Sequence, residues 1–150
     1  MRVISNALCK GLIPAVALLC AAGAAAQQSV DESLVPLQGG WTVTAAEQGG
    51  RPFDAIKGGV LDVDGEAFDL VTASGNEIGG VLRVEVDAQP QQIDFLLSDG
   101  VVWEGIFTVR GDILRMNYVE RGDAERPTIF ATTSDTPGTV IVLRRTAAAD

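Results

Sequence analysis

Leu37-Gln38-Gly39-Gly40-Trp41 is the stretch on which the reading of this chain turns. Before it, residues 27–36 are mostly polar, contain one proline and show no hydrophobic period, so they read as a flexible lead-in. After it, apolar and polar residues alternate in short runs. Residues 41–47 form the first run, and the glycine pair ahead of Trp41 marks where the pattern begins. A period of two puts successive side chains on opposite faces, so each run is a half-buried β-strand.

Turn residues separate the runs that follow. Residues 48–52 form a loop and 53–57 a short helical turn. Strands 60–64 and 67–72 flank Asp64-Gly65, a strong hairpin signal, and Ser74-Gly75-Asn76 makes the next turn. In 78–87, Ile78, Leu82, Val84 and Val86 share one face, against Arg83, Glu85 and Asp87. Gln89-Pro90-Gln91 breaks the pattern. Ile93, Phe95 and Leu97 then alternate with Asp94 and Ser98 up to a turn at Asp99-Gly100. Val101, Trp103, Phe107 and Val109 face one way, and Gly105 between them leaves room for large rings or a bend. Residues 113–119, with Met116 and Tyr118, form the seventh strand. A longer connection over 120–134 includes a helical turn at 127–130, and 139–145 is the last strand.

Eight short strands with no amphipathic helix of useful length give an all-β chain. An open meander of that kind leaves exposed edges, and closure removes them. The expected fold is an eight-stranded antiparallel up-and-down barrel over residues 37–146, with a tail at 147–150. A barrel of eight strands is either filled by its side chains or holds one small ligand.

Upstream lies an export signal. Arg2 and Lys10 make a basic start, 11–26 is apolar, and Ala24-Ala25-Ala26 offers small residues for cleavage before Gln27. The apolar run is short for a membrane span. Cleavage removes both cysteines, Cys9 and Cys20, and leaves 124 of the 150 residues. It also removes two of the 11 basic residues and none of the 20 acidic ones, so the mature net charge is −11. A periplasmic or secreted protein is expected. Nucleic acid and anionic membrane surfaces, which need a cationic face, are not expected partners.

The chain has no histidine, and the mature part has no cysteine. That excludes Ser-His-Asp and Cys-His nucleophiles and removes the usual ligands of zinc, copper and haem. No Gly-rich loop is followed by Lys-Ser or Lys-Thr. Asp62, Asp64 and Glu66 cluster around a turn but lack the ligand spacing of a calcium loop. Arg110-Gly111-Asp112 and Arg121-Gly122-Asp123 read as polar turns. No catalytic residue, metal or cofactor is expected.

The chain resembles a bacterial family of uncharacterised lipocalin-like (calycin) domains of planctomycete type. The matching pieces are Leu37-Gln38-Gly39-Gly40-Trp41; Gly105-x-Phe107 through Gly111-Asp112-x-Leu114-Arg115; Glu125-Arg126-Pro127-Thr128-x-Phe130; and Gly138-Thr139-Val140 through Leu143-Arg144-Arg145. A cysteine often found after the Leu-Arg pair is replaced here by Met116-Asn117. The resemblance implies a fold and no activity. It also implies a structural role for Gly39 and Trp41, with Arg145, or alternatively Arg144, packed across the indole to close one barrel end.

The inward side chains Leu82, Val84, Phe95, Trp103, Phe107, Met116 and Tyr118 are either the wall of an apolar pocket or plain barrel core. The first reading makes the protein an exported barrel that binds a small hydrophobic molecule. The alternative is a periplasmic or secreted protease inhibitor acting through residues 27–36, although such inhibitors usually carry a disulfide.

Overall fold

A computed structural model describes residues 31–147. The export signal expected over 1–26, the start of the lead-in and the last three residues lie outside the described residues. Among the described residues nine strands form: β1 (Gly39–Gln48), β2 (Arg51–Pro52), β3 (Val60–Asp64), β4 (Ala67–Val71), β5 (Glu77–Glu85), β6 (Gln92–Leu97), β7 (Val102–Arg110), β8 (Ile113–Glu120) and β9 (Thr139–Arg145). All neighbours are antiparallel. The order β1-β3-β4-β5-β6-β7-β8-β9 returns to β1, which closes an eight-stranded barrel. The ninth strand, β2, is a two-residue extension hooked onto the end of β1. Its backbone pairing was not visible in a segment that reads as loop.

Closure follows from β1 serving two partners. Its first part pairs with β3, from Gly39↔Val63 to Thr42↔Val60, while Trp41 to Gln48 pair with β9. The register shifts between Val43 and Ala45. This bulge at Thr44 increases the local twist and changes which residues face inward. Trp41 and Val43 point in before it, and Ala46, opposite Ile141, after it.

The turns carry the expected residues with one shift. Asp64 pairs with Ala67, so Gly65 and Glu66, rather than Asp64 and Gly65, are the two connecting residues. Arg110 pairs with Ile113 across Gly111-Asp112, which places the first Arg-Gly-Asp at a hairpin tip.

The lead-in needs correction. Glu32–Leu37 forms a 3-10 helix, with the Asp31 side chain accepting from the Ser33 amide at 3.0 Å. Leu34 and Leu37, only 2% and 1% exposed, enter the core. Residues 127–130 form no helical turn. Instead the connection after β8 runs across the outer face of the barrel. Arg126 donates to the carbonyls of Ile93 and Gly105 and pairs with Asp94 at 2.7 Å. Asn117 donates to the Ile129 and Ala131 carbonyls, and Arg115 to that of Phe130. Ile106, Val119 and Val140, outward by strand alternation, are buried.

Candidate functional site

The two ends of the barrel differ. One end is sealed by the Leu37–Trp41 stretch. Gly39 begins β1 at φ 94°, a left-handed conformation that costs glycine little and turns the chain from the 3-10 helix into the strand. Trp41 is completely buried, and its Nε1 donates to the Leu37 carbonyl at 2.8 Å. Arg145 pairs with Trp41 in the β1–β9 ladder, and its guanidinium lies 4.2 Å from the indole ring centroid. Arg145 also donates to the Gln38 carbonyl at 2.7 Å and the Pro36 carbonyl at 3.1 Å. Arg144 faces the other way, paired with Thr42 and Ile113.

Gln38, not singled out from the sequence, completes the seal. Its side-chain amide donates to the Gly65 carbonyl at 2.9 Å and accepts from the Gly65 amide at 2.8 Å. One side chain thus clips the helix to the β3–β4 turn. Of the segment a protease inhibitor would use, residues 32–36 are folded into this seal, and 27–30 lie outside the described residues.

The opposite end is open and contains the cavity. An aromatic row leads to it. Phe68 meets Phe95 edge to face at 5.1 Å, and Phe95 lies 6.1 Å from Trp103 and 6.3 Å from Tyr118. Trp103 and Tyr118 stack, with centroids 5.0 Å apart and planes 23° from parallel. Gly105 makes this geometry possible. It pairs with Tyr118, and a Cβ on it would stand 2.5 Å from the Asn117 carbonyl and 2.9 Å from Tyr118 Cβ.

Beyond the stack is a cavity of about 210 Å³. Val43, Leu70, Ile78 and Ile141 supply its strand walls, Ile56 comes from the 3-10 turn at Asp54–Ile56, and Trp103 and Tyr118 form the aromatic side. Thr72 adds a hydroxyl. Leu70, Ile78 and Trp103 lie near the ends of their strands away from the Trp41 seal, and Val43 sits one inward position beyond Trp41. Alternation in the sequence put Ile78 on the apolar face of its strand, while Val43 and Leu70 were not singled out. No sequence signal placed Ile56 over the mouth.

The side chains expected along a pocket therefore divide. Trp103 and Tyr118 line the cavity. Phe95 and Met116 line only a void of about 10 Å³, room for no more than a single water. Leu82 and Phe107 are buried within the packed core, and the half-buried Val84 packs against it. The lower half of the inward rows is filling, because the 3-10 helix and Trp41 occupy that end.

Burial pushes the Tyr118 phenol up to about 12, against a smaller opposing pull from its hydrogen bond with Thr139. Part of the surface Tyr118 retains faces the cavity. Among the described residues no group of three or more His, Cys, Asp or Glu side chains converges on a possible metal position. Asp62 and Asp69 face each other on the outer side of β3 and β4.

No protein-family model matches the chain, and no curated protein sequence matches it. Among solved structures, it is similar to a de novo designed fluorescence-activating β-barrel, with a TM-score of 0.46 and 16% identity over 77% of this chain and 99% of the designed one.

Proposed function

We propose that this protein is an exported, non-enzymatic lipocalin-like barrel that binds one small apolar molecule in the cavity at its open end. The observation that carries this reading is the stacked Trp103–Tyr118 pair, which faces about 210 Å³ of unfilled, largely apolar space instead of packing against a further layer. Protein interiors are close-packed, so a void of this size at a barrel mouth is a binding feature before it is a packing defect. An apolar cavity of about 150 Å³ suffices for benzene. This one therefore fits a molecule of one or two rings, or a short branched chain.

Export and the lipocalin-like family belong to the same proposal. They are supported by the signal pattern over 1–26, by Gly39 and Trp41 at the first strand, and by Arg145 across the indole. A non-enzymatic role is supported by the lack of histidine and of any cysteine after the signal.

The test is a fluorescence titration of the purified native protein with the neutral two-ring fluorophore 2-naphthylmethanol. Saturable binding at one site per chain is expected. A linear, non-saturating response at concentrations that keep the protein folded would contradict the proposal.

A further inference from the structure

The cavity does not open onto neutral surroundings. Two clefts adjoin it, one of about 340 Å³ and one of about 410 Å³. Trp103 lines both clefts and the cavity, Tyr118 is shared between the cavity and the first, and Ile78 between the cavity and the second. A molecule seated against the Trp103–Tyr118 stack would place its outer end in or beside them.

The charged side chains lining these clefts are all carboxylates. Glu120 borders both, Asp123 the first, and Glu77 and Asp99 the second. No lysine or arginine lines either cleft or the cavity. Arg121, next in sequence to Glu120, is paired with Glu104 at 2.7 Å. Arg51 and Lys57 are exposed and line none of the three spaces.

We infer that the ligand has a cationic head on its apolar body: a small aromatic or branched aliphatic amine, not a carboxylic acid of the fatty-acid kind. This rests on the binding reading above and adds the charge of the ligand to it. Four carboxylates in the two adjoining clefts, on a mature chain of net charge −11, attract a cation and repel an anion over about a screening length of 8–10 Å. The exposed rim leaves an ammonium group partly hydrated, so its desolvation cost stays small. Trp103, which borders cavity and clefts alike, offers an aromatic ring to an ammonium at the boundary. An acid would enter the same cavity with its carboxylate beside clefts that carboxylates line and no lysine or arginine does.

Three compounds of one shape test this: 2-naphthylmethylamine, 2-naphthylmethanol and 2-naphthoate. Each is titrated calorimetrically into the native protein at neutral pH, in low and in high salt. The amine is expected to bind at least about tenfold more tightly than the naphthoate in low salt, with the alcohol between them and the gap narrowing as salt rises. The double variant Glu120→Gln/Asp123→Asn should lower the amine affinity severalfold. Asp62→Asn, a carboxylate on the outer face of β3, should leave it unchanged. Naphthoate binding as tightly as the amine, or an unchanged amine-to-naphthoate ratio in the double variant, would overturn the inference while the binding reading stands. If none of the three binds, the cavity reading fails and the inference falls with it.

Discussion

Tyr118 is the one tyrosine of the chain, so its ionisation can be followed without assignment. With the native phenol raised to about 12 and the unfolded value near 10, the native state holds the proton more tightly than the unfolded state. The contribution to stability is therefore complete below pH 10 and is lost as pH rises from there through about 12. Phenolate absorbance should titrate near 12 in the folded protein and near 10 in denaturant. A native midpoint near 10 would mean that the ring is not enclosed. Trp103 gives a second residue-scale prediction. Trp→Ala in a solid core costs about 3–5 kcal/mol. Trp103 borders a void, so Trp103→Ala should cost about 1–2 kcal/mol, mostly the lost stack on Tyr118. Chemical denaturation measures the difference, and a loss above about 3 kcal/mol would mark the site as packed. The inward direction of both residues was legible from strand alternation. Which inward residues line space and which fill it was not, because that depends on how deep the Trp41 end is plugged.

The β1–β9 pair and the 3-10 helix form the element that seals the closed end. Burying an indole removes about 150–250 Å² from water, an upper bound of roughly 4–6 kcal/mol. Trp41→Ala should severely destabilise or unfold the domain, and Arg145→Ala should cost about 1–2 kcal/mol. In a double-mutant cycle the combined loss should be smaller than the sum, since the guanidinium stacks on the ring that Trp41→Ala removes. Strict additivity would mean the contact carries no energy. Sequence pattern located these strands because hairpins such as β7–β8 are local and alternate cleanly. It missed the 3-10 helix, where Leu34 and Leu37 are the inward pair and Glu32, Ser33, Val35 and Pro36 stay out of the core. Six residues with one proline carry too little period to read. It also placed a helical turn at 127–130, where Asn117 and Arg115 instead hold the chain through the Ile129 and Phe130 carbonyls.

At the scale of the molecule, closure was legible because eight edge-prone strands with no covering helix have few other solutions. The bulge at Thr44 and the outer wrapping of 121–138 were not, since both are set by partners far away in sequence. The export reading has its own check. Intact mass of protein secreted with its natural leader should fit a Gln27 start, and no thiol should react, because both cysteines precede the cleavage point. A thiol-reactive mature chain would refute it. The central claim is that the open end holds a ligand, and filling the cavity tests it most directly. Ile78 is half-buried and lines the cavity and one cleft, so Ile78→Trp should occupy the space while leaving the closed end intact. Calorimetric titration with 2-naphthylmethanol should give one saturable site in the wild-type protein and at least about a tenfold loss of affinity in the equally folded Ile78→Trp variant. Equal affinity in the two proteins would place the ligand elsewhere and contradict the account.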